Sequence, residues 1–320
     1  MKQVFFSEML SAFEDYLNNY IERHTNEILA PVVLYVVRNG GKRIRPLYTL
    51  LTAQLLGHDW TIALDYAVIV ELFHNATLFH DDIMDQDAVR RGKEAVYIKH
   101  GVIESILSGD LLFGLTGYLA ANKSRRFLKS LAKTIINTVS GQALQLRNRR
   151  KIVDAETCIK IAYLKTGSLF ETALIGGGVA VNADESTLDR LARMGQFIGT
   201  AYQLQDDIIG IFSEPEKSGK LVGIDLANGD PTLFVAYTAN AEIPPEDKDY
   251  ILGIYQGKIK PFDLERVRTI FKEYGILRKV QNEIRRRVNA VKDLLSIYSH
   301  ENTNLFIKLT EIVFSKAFNF

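Results

Sequence analysis

The chain has 320 residues, 47% of them hydrophobic, which is enough for a sizeable core in one large domain or two. Its 39 basic and 38 acidic residues nearly cancel, and no basic stripe carries interleaved aromatic residues, so we expect no nucleic-acid partner. The one cysteine, Cys158, excludes an intrachain disulfide framework and a cysteine-based zinc site. The N-terminus has no signal-peptide pattern and no run of about 18 apolar residues occurs, so we expect a cytoplasmic protein without a transmembrane segment.

The first part of the chain predicts helices separated by glycine-rich turns. Apolar residues at helical spacing predict an amphipathic helix over residues 7–23. A short helix over 30–38 should end at the glycines of 39–41. The basic segment Lys42–Arg45 follows and leads into another helix. Arg43 stands where a phosphate-binding P-loop needs Ser or Thr, so this segment is not a P-loop.

The helix predicted over 62–85 ends in an acidic cluster. The cluster is formed by Asp81, Asp82, Asp85 and Asp87. Asp81 and Asp85 lie one turn apart on one helix face, which suits a hard cation with oxygen ligands, Mg²⁺ first. Substrate phosphates usually complete the coordination of Mg²⁺, and Arg90 and Arg91 behind the cluster suit phosphates. Taken alone, the run fits equally well a solvated helix end paired with its own arginines.

The middle of the chain predicts further helices and no strand. They cover about 94–120, 125–147 and 154–181. The glycine triplet 176–178 has no strand before it and does not match the dinucleotide-binding fingerprint, so it favours close helix packing.

A second acidic motif ends the helix predicted over 186–212. It reads Gln203-Leu204-Gln205-Asp206-Asp207, and a polar loop over 213–232 follows with Lys217 and Lys220. Loops of this length are usually functional. Further helices are predicted at the C-terminal end, over about 245–256, 263–274, 277–297 and 303–318. No segment of linker composition divides the chain, so we predict one all-α domain over residues 1–320.

The two acidic motifs share a design, because each ends an apolar helix and is followed by cations. Across a helical bundle, Asp81 and Asp85 on one side and Asp206 on the other would hold several Mg²⁺ ions around one diphosphate. Mg²⁺ and basic groups stabilise the charge on a departing diphosphate, and the carbocation left behind needs a dry, apolar pocket. One stripe of the first helix would line that pocket: Val70, His74, Thr77 and Asp81.

Several short motifs occur in order between about residues 40 and 235. They are Gly40–Pro46, the block His74, Asp81–Asp85 and Arg90–Gly92, then Gly109-Asp110, Lys165-Thr166, Gln203–Asp207, Gly219-Lys220 and Gly223–Leu226. Together they resemble the trans-isoprenyl diphosphate synthases, or polyprenyl synthetases, and the loop before Asp225 resembles archaeal geranylgeranyl diphosphate synthases. The resemblance implies a helical bundle of the isoprenoid synthase type with a central apolar cavity, and a homodimer.

The resemblance also implies a role for each matching residue. Isopentenyl diphosphate would be held by Lys42, Arg45, His74 and Arg91. Mg²⁺ would be bound by Asp81, Asp85 and Asp206. The allylic diphosphate would be contacted by Arg90, Lys165, Thr166, Gln203 and Lys220, of which the last four are the candidate catalytic residues. The implied reaction is ionisation of the allylic diphosphate, attack by the isopentenyl double bond and loss of a proton.

Two positions depart from the family pattern. Gly210 stands where many members have a third Asp, a departure that archaeal-type members share, so the second position matters more. Many members carry Lys where this chain has Asp230. Asp at this position removes one cation near the leaving group. Either Lys217 or Lys220 is then enough to stabilise the departing diphosphate, or turnover is reduced. On this interpretation, Asp230→Lys raises activity or leaves it unchanged.

Product length is expected to depend on two small residues before the first acidic motif, Ala76 and Thr77. The resemblance implies that a bulky aromatic residue there blocks growth early, as in farnesyl-length enzymes. We therefore predict a product of twenty carbons or longer, with geranylgeranyl diphosphate first. Phe113, in the segment Leu111–Leu119, is a candidate for the floor of the pocket.

Two other functions remain open from the sequence. A class I terpene cyclase also ionises a diphosphate with Mg²⁺, but it needs no second anion site of the kind that Lys42, Arg45 and Arg91 would form. A catalytically silent subunit of a heteromeric synthase would be expected to lose its acidic motifs, and both are present here.

Overall fold

The structure is a computed structural model that describes residues 2–214 and 222–320. Its first half contains α1 (Lys2–His24), α2 (Ala30–Val37), α3 (Ile44–Leu55), α4 (Leu64–Asp85), the strands β1 (Val89–Arg90) and β2 (Lys93–Glu94), α5 (Val96–Lys99), α6 (Val102–Ala120) and α7 (Arg125–Asn148). Its second half contains α8 (Ala155–Ala162), α9 (Ser168–Ala180), α10 (Glu185–Phe212), α11 (Ile224–Asn228), α12 (Leu233–Ala239), α13 (Pro245–Tyr255), α14 (Leu264–Glu273), α15 (Ile276–Leu295) and α16 (His300–Phe314). The predicted all-α class is confirmed.

Two compact units make up the chain. Unit 1 consists of Met1–Ala132, Glu171–Ala192 and Tyr298–Phe306, and unit 2 consists of Lys133–Phe170, Arg193–Ile297 and Ile307–Phe320. The single domain over 1–320 stays a prediction.

The core of unit 1 is built around α4. Its residues from Ala67 to Phe73 are all buried, because the helix is apolar on nearly every face. The glycine triplet of α9 serves close packing, as the sequence indicated. A Cβ at Gly177 would lie 2.3 Å from the carbonyl oxygen of Thr49.

The core of unit 2 is formed by apolar faces of shorter helices. On α15, Val280, Ile284 and Val291 recur at helical spacing and are buried. The rings of Phe234 on α12 and Phe271 on α14 lie 4.8 Å apart between centroids. Burial of these apolar faces, at roughly 25 cal/mol per Å², holds short helices that would be marginal alone.

The structure differs from the predicted elements in three places. The segment 94–120 begins with the last residue of β2, which pairs with β1 as a tight antiparallel hairpin, and the short helix α5 follows before α6 starts at Val102. The helix predicted over 154–181 contains a π-helical turn at Tyr163–Gly167. The predicted loop 213–232 includes the short helix α11.

Two helical segments are long and apolar enough to cross a membrane by length and composition alone. They are Trp60–Asp85, whose apolar window is 72% buried in the structure, and Val102–Ala120, whose window is 33% buried. High burial is typical of the core helix of a soluble protein, and the α4 segment has it.

Candidate active site

The first acidic motif lies at the C-terminal end of α4, where the sequence placed it. Asp81 and Asp85 are half-buried and one turn apart. Asp82 is buried at 4% exposure and accepts hydrogen bonds from Nε of Arg90, at 2.7 Å, and from its Nη2. Arg90 also contacts Asp87 at 3.3 Å. Arg90 is thus paired with carboxylates of its own motif. It lies in the tight hairpin of β1 and β2, which directs its guanidinium towards the end of α4.

Two arginines predicted to hold isopentenyl diphosphate, Arg45 and Arg91, lie near His74. Nη1 of Arg45 lies 3.4 Å from Nε2 of His74. Burial, together with the positive charges of Arg45 and Arg91, lowers the pKa of His74 well below its usual value. The guanidinium of Arg91 donates to the carbonyl of Gly40 and packs 3.0 Å from where a Cβ of Gly41 would lie. Three of the four residues predicted to hold isopentenyl diphosphate are therefore neighbours, and the fourth, Lys42, is exposed on the same loop.

Arg43 fixes this loop and was not identified as a functional residue from the sequence. Its side chain is 1% exposed and pairs with Glu71 at 2.6 Å and with Glu14 at 2.6 Å. Its guanidinium also donates to the carbonyl of Val37. Buried carboxylates and guanidinium groups are stable only when paired. The signal in the sequence was Glu71, a charged residue in the middle of a buried apolar helix.

The Gly109-Asp110 motif packs against the residue that precedes the first acidic motif. A Cβ at Gly109 would lie 2.4 Å from the ring of His80, so only glycine allows this approach. Nε2 of His80 lies 3.4 Å from Asp110, and its ring stacks on Phe113 at 5.6 Å between centroids. Phe113 also lies 5.5 Å from Phe73. The motif therefore supports the end of α4.

In unit 2, Lys165 and Thr166 lie on the π-helical turn Tyr163–Gly167. Single π-turns inside helices occur frequently at functional sites. The turn is closely packed, because a Cβ at Gly141 would lie 2.6 Å from the backbone nitrogen of Lys165. A Cβ at Gly199 would likewise lie 2.6 Å from the Cα of Gly167. The glycines of α7 and α10 thus let both helices approach the turn.

The second acidic motif lies on α10 beside this turn. Thr166 donates its hydroxyl to Oε1 of Gln203 at 2.7 Å, and Nε2 of Gln203 donates to Asp207 at 3.0 Å. Burial, together with the charges of Asp225 and Asp206, raises the pKa of Asp207 to about 8. Asp206 is exposed. The structure therefore brings together the predicted residues Lys165, Thr166 and Gln203 and places Asp206 on the same helix as Gln203, while Lys217 and Lys220 lie outside the described residues.

The donor chemistry of both motifs fits Mg²⁺. Each presents carboxylate oxygens, the ligands that this hard cation prefers. Mg²⁺ is usually bound by one or two carboxylates plus the phosphates of a substrate. Within the described residues, 2–214 and 222–320, no group of three or more His, Cys, Asp or Glu side chains is arranged to hold a metal ion.

Comparison with known proteins identifies the family. A family model described as polyprenyl synthetase matches residues 26–274. The nonaprenyl diphosphate synthase of Mycobacterium tuberculosis is 37% identical over 224 residues, which cover 69% of this chain and 67% of that protein. The geranylfarnesyl diphosphate synthase of Aeropyrum pernix is 33% identical over 284 residues, which cover 85% of this chain and 88% of that protein.

The fold agrees with this result. The crystal structure of a polyprenyl synthase from Caulobacter crescentus, complexed with calcium and isoprenyl diphosphate, superposes with a TM-score of 0.90 at 26% identity. The match covers 98% of this chain and 97% of that chain, which confirms the isoprenoid synthase type of bundle. The chain belongs to the polyprenyl synthetase family of trans-prenyltransferases.

Proposed function

We propose that the protein is an Mg²⁺-dependent enzyme that condenses isopentenyl diphosphate with an allylic diphosphate. The product is a trans-polyprenyl diphosphate of twenty carbons or longer, with geranylgeranyl diphosphate first. The observation that supports this most is the convergence of Arg45, His74 and Arg91 in unit 1, in addition to the Lys165 site in unit 2. Two anionic substrates require two cationic sets, whereas a class I terpene cyclase requires only one.

In unit 1, the proposed role of Lys42, Arg45, His74 and Arg91 is to bind the diphosphate of isopentenyl diphosphate. The low pKa of His74 keeps its ring neutral before the substrate arrives. A bound diphosphate would offset the charges of Arg45 and Arg91 and would favour the protonated ring of His74, in which both nitrogens donate hydrogen bonds. Arg43 lies between Lys42 on the loop and Arg45 in the first turn of α3, and its buried ion pair with Glu71 fixes this junction, so its proposed part is positioning.

The proposed role of Lys165, Thr166 and Gln203 in unit 2 is to bind the allylic diphosphate. Arg90 of unit 1 and Lys220 are proposed as further cations for the same diphosphate. Lys165 stabilises the charge that builds on the diphosphate as its bond to carbon breaks. Asp81, Asp85 and Asp206 would hold Mg²⁺, which supplies further stabilisation of that charge. The departing diphosphate is the proposed acceptor of the proton lost in the last step.

The decisive experiment is product analysis with the purified protein. Labelled isopentenyl diphosphate and Mg²⁺ are supplied with each short allylic diphosphate in turn, and the products are dephosphorylated and chromatographed. Incorporation into a linear prenyl alcohol supports the proposal. A cyclic hydrocarbon made without isopentenyl diphosphate would identify a cyclase instead, and no incorporation with any primer would identify a silent subunit.

Product length offers a separate prediction at Thr77 and Ala76. Thr77 is half-buried and donates its hydroxyl to the carbonyl of His74, while Ala76 is fully buried. A phenylalanine at either position should shorten the product, because the ring would fill the space next to the growing chain. Thr77→Phe is the cleaner variant, because overpacking at Ala76 costs roughly 1–3 kcal/mol of stability as well. Unchanged product length in both variants would contradict the assignment.

We also propose that the protein is a cytoplasmic homodimer. Several large apolar side chains of α6 are exposed beside Glu104 and Asp110, with Ile103 at 70% exposure and Leu107 at 50%. Clustered exposed apolar side chains usually contact a partner. Sedimentation should show a dimer that Ile103→Glu with Leu107→Glu converts to monomer. Sedimentation of the native chain as a monomer, or its recovery with membranes, would contradict this proposal.

A further inference from the structure

Asp230 is a buried carboxylate that the proposed reaction does not use. It is 7% exposed and follows the turn at the end of α11. Its Oδ1 accepts a hydrogen bond from Nε of Arg149 at 2.7 Å and another from Nε2 of Gln145 at 3.0 Å. Gln145 lies in the last turn of α7, and Arg149 follows directly after the last residue of that helix. The carboxylate therefore joins two side chains of the same helix end.

The position of Asp230 is fixed by the backbone on both sides. Its N–H donates to the carbonyl of Asp225 at 2.9 Å, and the N–H of Arg150 donates to the carbonyl of Gly229 at 2.8 Å. Gly229 has a φ of +77°, and a Cβ there would lie 2.8 Å from the carbonyl oxygen of Tyr255. The turn is thus docked on the end of α7 with little room to shift.

Gln145 links this fixed carboxylate to Lys165 of the proposed substrate site through hydrogen bonds. Its Oε1 accepts a hydrogen bond from Nζ of Lys165 at 3.1 Å. A carboxylate accepts hydrogen bonds and an ammonium group donates them, so the amide can satisfy both neighbours in one orientation only. The opposite orientation would set oxygen against oxygen at Asp230 and N–H against N–H at Lys165. The negative charge of Asp230 therefore selects the orientation of Gln145 that holds Lys165.

We propose that Asp230 is a positioning residue that acts through Gln145 on Lys165, an inference that rests on the function proposed above. The guanidinium of Arg149 balances the buried charge of Asp230. This reverses the effect expected of Asp230→Lys. A lysine would face Arg149 and would favour the orientation of Gln145 that turns its N–H groups towards Lys165, so diphosphate binding should weaken rather than strengthen.

The test is a double-variant cycle on the affinity for inorganic diphosphate with Mg²⁺, measured by calorimetry. Asp230→Asn should weaken binding about tenfold, the equivalent of one charge-assisted hydrogen bond. Lys165→Met should weaken it at least as much. If Asp230 acts through Lys165, Asp230→Asn adds no further loss in the Lys165→Met background. Equal losses in both backgrounds would overturn the inference.

A charge transposition separates positioning from simple structural damage. Gln145→Glu alone places two carboxylates together and should weaken binding about tenfold. Combined with Asp230→Asn, it restores a donor at position 230 and an acceptor for Lys165, so affinity should return to within about threefold of the native protein. Failure of the pair to restore affinity would overturn the inference.

A matched control is Asp247→Asn, which removes a carboxylate of the same unit that is paired with Arg266 at 3.1 Å. It should leave diphosphate affinity unchanged, and an equal loss there would also count against the inference. The two proposals fail differently. A native protein that binds no diphosphate would overturn the proposed function and the inference with it, whereas native binding with an additive cycle would overturn the inference alone.

Discussion

The two acidic motifs look alike in sequence, but their second aspartates have different surroundings. Asp82 is buried and accepts two hydrogen bonds from the guanidinium of Arg90. Asp207 accepts one from the amide of Gln203, and its burial near other carboxylates raises its pKa to about 8. At neutral pH the first carboxylate is neutralised by an arginine, whereas the second is neutralised largely by a proton.

This difference shows that one sequence pattern can serve two electrostatic designs. In unit 1 the negative charge of Asp82 is balanced by Arg90, which lies in the hairpin directly after the motif. Asp82 is therefore a structural carboxylate beside Asp81 and Asp85. In unit 2 the acidic groups crowd one another, and a bound cation would favour their charged forms. We therefore expect that metal binding near Asp206 and Asp207 releases more protons per bound ion than metal binding near Asp81.

The largest expected effect tests what the motifs share. Asp81→Ala and Asp206→Ala should each lower turnover by about 10³-fold, because each removes a proposed ligand of the cation that stabilises the departing diphosphate. Circular dichroism should show little loss of helix. The control is Asp249→Ala, which removes an exposed carboxylate on α13. A near-normal rate for Asp81→Ala would contradict its role as a metal ligand.

A smaller effect tests where the motifs differ. Asp82→Asn should lower the free energy of unfolding by roughly 2 kcal/mol, because it removes the more buried of the two carboxylates that pair with Arg90 and leaves only the longer contact with Asp87. Urea unfolding measures this, with the exposed Asp249→Asn as the control. If both variants are equally stable, Asp82 is not the structural carboxylate of the first motif.

The sequence predicted the parts of this molecule that depend on local pattern. Helical periodicity placed α4 and α10, and the acidic motifs appeared at their ends, as predicted. Order along the chain also identified Lys165 and Thr166 as candidates, and the structure places them beside Gln203. What the pattern could not show was the π-helical turn, because it depends on two glycines of other helices, Gly141 and Gly199, packing against it.

The long-range ion pairs could not be predicted, because they join residues that are far apart in the chain. Arg43 pairs with Glu14 and Glu71, which lie on different helices. The guanidinium of Arg90, in contrast, binds Asp82 and Asp87, which is the local pairing of the acidic cluster with its own arginines that the sequence left open. The partner of each charged side chain is set by tertiary distance, on which composition and spacing carry no information.

The subtlest prediction concerns the pH dependence of stability at Asp207. Because its pKa is raised in the folded state, the folded protein binds more protons than the unfolded chain between about pH 4 and about pH 8. This carboxyl therefore lowers stability as pH rises through that window, by at most about 1.4 kcal/mol per pH unit. Asp207→Asn keeps an acceptor for Gln203 and removes the titration, so metal-free protein with this substitution should lose less stability on going from acidic to neutral pH. Equal pH slopes of urea unfolding in the native protein and the variant would show that Asp207 is ionised in both states, and the two acidic motifs would then be electrostatically alike.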